Sequence, residues 1–239
     1  MDTLLKWNDS LLSWNRKYIR GFLTGPPPPP PPQDQLVARW PLQSNLNDTV
    51  GTNNFTLVSG SETYSPGLNG NALVFSGSNR FDCVSSALNP YFGLQNTPWS
   101  VSLWILQTGP YGGNVWGTYN NASVITLQAY TNDYTHGMVH IAGNGGQRDY
   151  DNVYNHNWRH IVWSYDQTST PGSVYVDNVL LTNVLGQYPH WGEQGPVSFD
   201  RLKLGIDTAT TGLMQFMYVY GKMLTTGEIN TLYNGGMPI

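Results

Sequence analysis

Residues 26–32 are seven consecutive prolines, and nothing else in the chain restricts its fold as severely. Each proline lacks a backbone N–H and holds φ fixed, so the run enters neither a helix interior nor a central strand and is expected to stand as a polyproline II rod. At about 3.1 Å per residue the rod spans about 20 Å. It divides the chain into an arm of residues 1–25, a linker of residues 26–35 and a head of residues 36–239 with a different composition.

The arm reads as an amphipathic helix. Leu4, Trp7, Leu11, Trp14 and Tyr18 recur at three- and four-residue intervals, and Leu5, Leu12, Ile19 and Phe22 widen the stripe, while Lys6, Asp9, Arg16, Lys17 and Arg20 take the other side. A helix this short is marginal alone in water, so the stripe is expected to anchor the chain. Three coverings stay open. They are the chain's own head, a protein partner (a capsid or other particle component, or further copies of the arm in a homo-oligomer), and a membrane interface. The rod pushes arm and head apart, the near-heptad spacing favours a protein, and Asp9 with the weak net charge counts against a membrane.

The head carries the remaining chemistry. Only 11% of the chain is charged and the net charge is -4, which argues against a nucleic-acid partner. Four basic and three acidic residues precede Gln35, and seven basic and twelve acidic residues follow it, so the head is the acidic part. Cys83 is the single cysteine, which excludes an intrachain disulfide and leaves stability to the core. The first ten residues contain Asp2 and Asp9 and no apolar run follows, so no secretory signal is read, and release by particle assembly or lysis is expected.

From Leu36 onward short alternating runs are punctuated by Gly, Asn and Pro. The clearest strands are expected at 72–77, 99–106, 122–130, 137–143, 158–166, 173–181, 200–206 and 216–224, with a tight hairpin turn at Asp177-Asn178. The one helix expected in the head begins at Thr225 or Thr226 and turns Ile229, Leu232 and Tyr233 to the core. The fold class that follows is all-β, a two-sheet antiparallel sandwich of jelly-roll type.

Six ordered stretches carry a family resemblance: LVARWPLQSNLNDTVG (36–51), SPGLNGNALVFSGSNRFDC (65–83), NTPWSVSLWI (96–105), NWRHIVWSYD (157–166), SVYVDNV (173–179) and MLTTGEINTLYNGG (223–236). Together they resemble the laminin G-like jelly rolls of the concanavalin A-like lectin/glucanase superfamily. The resemblance covers nearly the whole head and implies its fold. It does not select a function, because that superfamily includes lectins, glycosidases, adhesion modules and structural domains. Some members bind calcium through an acidic pair before the last strand. This chain has Gln215 and Phe216 there, which leaves Asp48 and Asp207 as the candidate calcium ligands.

Catalytic constellations are thin. The Glu-x-Asp-x-x-Glu strand motif of the related glucanases is absent, and Glu62, Glu193 and Glu228 lie far apart. Asp149 and Asp151 are the nearest same-face carboxylates for glycoside hydrolysis. The pairs His136/His140 and His156/His160 have a four-residue spacing that joins two rings on a helix but separates them by about 13 Å on a strand, so no zinc site is expected. No cofactor is expected.

Aromatic and amide side chains in loop-like stretches suggest binding instead. Trp116 and Tyr119 lie in 111–121 and His190 and Trp191 in 187–195, with Tyr134, Arg148 and Asp149 able to join them. Such residues stack on sugar faces and bond hydroxyls, although the same types also favour subunit contacts. The sequence therefore leads to a non-enzymatic surface protein of a virus or phage particle, anchored by its arm and presenting a lectin-like, glycan-binding head. A cellular carbohydrate-binding or adhesion module with a membrane-interface helix is the alternative, and a degenerate glycosidase the third reading.

Overall fold

The computed structural model describes residues 34–92, 97–108, 114–120, 124–132, 138–143, 146–150, 157–165, 173–182, 184–188, 200–205 and 211–236. The arm and the proline rod, with the helix and spacer expected there, lie outside the described residues. In chain order the strands are β1 (Leu36–Trp40), β2 (Thr56–Ser59), β3 (Tyr64–Pro66), β4 (Asn71–Ser76), β5 (Arg80–Val84), β6 (Trp99–Gln107), β7 (Asn114–Asn120) and β8 (Val124–Asn132). They continue with β9 (Met138–Gly143), β10 (Gly146–Tyr150), β11 (Arg159–Tyr165), β12 (Ser173–Val176), β13 (Val179–Leu180), β14 (Val184–Tyr188), β15 (Arg201–Leu204) and β16 (Thr211–Tyr220), and helix α1 (Thr226–Gly236) follows.

Two antiparallel sheets form a sandwich, as the alternating pattern requires. Sheet I runs β13-β12-β11-β6-β16-β4-β3 with β1 also on β16, and sheet II runs β14-β10-β9-β8-β7-β15-β5-β2. Period-two alternation explains what each face does. On β6, Trp99, Val101, Leu103 and Ile105 join the core between the sheets, together with Phe81, Cys83, Trp116, Leu202 and Leu204 of sheet II. The opposite face of sheet I carries Trp104, Val162, Tyr218 and Tyr220, which α1 covers through Ile229, Leu232 and Tyr233.

Local chemistry sets the ends of these elements. Asp177 and Asn178 both adopt positive φ, 50° and 67°, the conformation a two-residue hairpin between β12 and β13 demands. Thr225 and Glu228 cap α1 reciprocally, Glu228 N donating to Thr225 Oγ1 and Thr225 N to Glu228 Oε2. The last strand differs from expectation. It begins at Thr211 and ends at Tyr220, and a bulge at Phe216, φ 55°, shifts its register against β6. Beyond Tyr220 the backbone bonds elsewhere: Gly221 N donates to Gln35 O and Leu224 N to Ser100 Oγ. Stretches 114–120, 146–150 and 184–188 are further strands, the first of them within the loop-like stretch 111–121.

Candidate ligand-binding face

Sheet II turns one side to the core and one side away from it. On the outward side, Asp82 of β5 lies in register with Lys203 of β15, and Lys203 with Gly117 of β7. The same line continues through Gln128 of β8, Ala142 of β9, Gln147 of β10 and Tyr188 of β14. A second line two residues along joins Tyr130, His140 and Asp149 on β8, β9 and β10. In backbone register, Gln128, Tyr130, His140, Gln147 and Asp149 of three adjacent strands thus fall on the same face of the sheet. These are the side-chain types that orient polyhydroxylated ligands.

The β5–β15 end of this face is strongly charged. Arg201 Nη1 lies 3.4 Å from Asp82 Oδ2, and Arg80 Nε lies 3.5 Å from Asp82 Oδ1. Arg201 also reaches Asp200, Nε to Oδ1 at 2.9 Å, and this partner, opposed by slight desolvation, raises the guanidinium pKa. Lys203 is buried with its Nζ 3.8 Å from the centre of the Tyr119 ring. Burial lowers the pKa of this ammonium, Asp82 opposes that shift, and Arg80 and Arg201 reinforce it.

The sequence candidates separate on this frame. Asp149 takes the outward side. Arg148 pairs with Ile141, which pairs with Ala129 opposite the core residue Trp116, so it lies on the inward side. Trp116 is corrected: it sits on β7 with no solvent exposure, its ring edge-on to Trp99 at 5.9 Å and to Trp163 at 5.7 Å. It cannot stack on a sugar. Tyr119 is corrected as well, since it is buried and its ring is occupied by Lys203. Tyr134, His190, Trp191 and Asp207 lie outside the described residues, as do the anchoring residues Leu4, Trp7, Leu11, Trp14, Tyr18 and Phe22.

Asp48 is also corrected. Its Oδ1 accepts from Arg39 N at 3.0 Å and Val50 N at 2.9 Å, and its Oδ2 from Asn53 N at 3.2 Å and Asn53 Nδ2 at 2.8 Å. Four N–H donors take the lone pairs a cation would need. Among the described residues no group of three or more His, Cys, Asp or Glu gathers as a metal site. Burial raises the Asp48 pKa, and the donors on Arg39, Val50, Asn53 and Gly51 outweigh it and hold the carboxyl below its usual value. Asp48 therefore ties the 45–54 loop to β1. Asp48→Ala is expected to cost about 2–3 kcal/mol in urea unfolding at pH 7, because buried donors lose a charged acceptor. The contribution is present in full above the unfolded carboxyl pKa and is lost as pH falls through the lower folded one, so the difference between the two proteins should shrink in acid.

No protein-family model and no curated protein sequence matches the chain. Solved structures do. Domain 4 of AbnA, a GH43 extracellular arabinanase from Geobacillus stearothermophilus, in complex with arabinotriose, superposes with a TM-score of 0.62 at 18% identity, covering 83% of this chain and 98% of that one. Trypanosoma rangeli sialidase in complex with the inhibitor DANA gives 0.63 at 14% identity, over 98% of this chain and 39% of the sialidase. The binding domain of botulinum neurotoxin DC in complex with SialylT gives 0.60 at 14% identity, over 85% of this chain and 52% of that domain. The fold is a concanavalin A-like β-sandwich. At these identities the likeness is one of fold, and the chain spans well under two thirds of the sialidase and neurotoxin chains.

The sequence signal for the outward face is alternation, and it is confined to β8. In VITLQAYTN Gln128 and Tyr130 alternate with Leu127 and Ala129, whereas MVHIAG holds one polar residue, His140, and in GQRDY Gln147, Arg148 and Asp149 are consecutive. Only the register brings the three segments side by side.

Proposed function

We propose that this chain is a non-catalytic carbohydrate-binding module of laminin G-like type, binding saccharide on the outward face of sheet II. The observation that carries this reading is the row Tyr130, His140 and Asp149, with Gln128 and Gln147 beside it, on three adjacent strands. The arabinotriose complex of an arabinanase domain matched over 98% of its length supports it. Ordinary glycoside hydrolysis uses two carboxylates within about 10 Å. Among the described residues of β7, β8, β9, β10 and β14, Asp149 is the one carboxylate, and Asp82 lies five strand spacings away, about 24 Å. Asp151, the carboxylate that the sequence pairs with Asp149, lies outside the described residues. Anchorage by residues 1–32, whether to a particle, to further copies or to a membrane, is a separate proposal that this reading does not need.

The intact chain should bind a subset of a printed glycan array, with no reducing ends released on prolonged incubation. His140→Ala and Asp149→Ala should each weaken that binding at least about tenfold, the loss of one good polar contact, with unchanged thermal unfolding. Binding that survives both substitutions intact would sink the assignment to this face.

A further inference from the structure

We infer that the saccharide is anionic, with its acidic group seated at the β5–β15 end of the same face on Arg80, beside Arg201 and Lys203; this rests on the carbohydrate-binding reading above. Three of the seven basic residues that follow Gln35 converge here on two adjacent strands. Among the described residues their carboxylate partners are Asp82 and Asp200, three cations against two carboxylates.

The surplus falls on Arg80. Arg201 is engaged by both oxygens of Asp200 and by Asp82. Lys203 is buried over Tyr119 and acts through its field. Among the described residues Arg80 pairs with Asp82, at a separation of 3.5 Å, and its buried Nε and Asp82 Oδ1 each lack a hydrogen bond there. Its side chain is 39% exposed, so the guanidinium fork remains open to a carboxylate or sulfate. Val84, 70% exposed and in register with Arg201, offers an apolar contact on the same side of β5 for the C–H face of a sugar ring. The rest of the head carries four basic and ten acidic residues, so the three clustered cations stand against a net negative background.

The experiment is an array of neutral, uronate, sialylated and sulfated glycans read with the intact chain, followed by titration of the tightest binder at 50 and 300 mM salt. The expected result is acidic glycans among the binders, affinity that falls with salt, a loss of about tenfold in Arg80→Gln, and a smaller loss in Arg80→Lys, which keeps the charge without the fork. Thermal unfolding of both variants controls for folding. Binding restricted to neutral glycans, or acidic binding indifferent to Arg80→Gln, overturns the anionic assignment and leaves the carbohydrate reading standing. No binding to any glycan overturns both.

Discussion

Trp116→Ala is expected to destabilise the fold by about 3–5 kcal/mol, the range for removing a large aromatic from a packed core. The indole has no solvent exposure and stands between Trp99 and Trp163, whose planes it meets at 87° and 84°. These contacts link β7 of sheet II to β6 and β11 of sheet I, so the cavity opens between the sheets. Urea unfolding followed by tryptophan fluorescence measures the loss. A variant of unchanged stability would mean that the ring is not in the core. If Trp116 stacked on saccharide, the same substitution would cut binding and spare stability, so one protein separates the two roles.

The second large effect is acid lability through His160. This ring lies under α1, with Nε2 2.8 Å from Ser102 Oγ and its face near Trp104 and Tyr233, at 5.2 and 6.0 Å. Its Nδ1 is buried without a hydrogen bond among the described residues. Desolvation pushes its pKa down to about 3. The unfolded chain takes up a proton near pH 6.5 and the folded chain does not, so stability is complete above that pH and falls as the solution is acidified. The slope is about 1.4 kcal/mol per pH unit until the folded ring itself titrates. Unfolding free energies at pH 6.5 and 4.5 should therefore differ by about 2–3 kcal/mol more in the parent than in His160→Gln. Equal slopes would show that the ring is already protonated in the folded protein.

Most of the sandwich is legible in the sequence because it rests on local pattern. The alternation in WSVSLWIL, the turn at Asp177-Asn178 and the cap at Thr225 each depend on neighbours along the chain, and each stands where expected. Trp116 escapes a local reading because Gly112, Gly113 and Gly117 around it look like loop punctuation, whereas a bulge between Asn114 and Trp116 seats both Val115 and Trp116 in the core. Asp48 resembles a ligand in sequence because its donors are mostly backbone N–H groups, which composition does not reveal. The outward face of sheet II requires pairing between strands far apart in sequence. Asp82 meets Lys203 across more than a hundred residues, and no local window contains that contact.

The outward face of sheet II is tested most directly by titrating the tightest array glycan into the isotopically labelled intact chain and following its amide resonances. Perturbations concentrated on Gln128, Tyr130, His140, Gln147 and Asp149, reaching Arg80 when the glycan is acidic, are the result this account expects. Perturbations concentrated on α1 and the outer face of sheet I, with β8 to β10 silent, would contradict it.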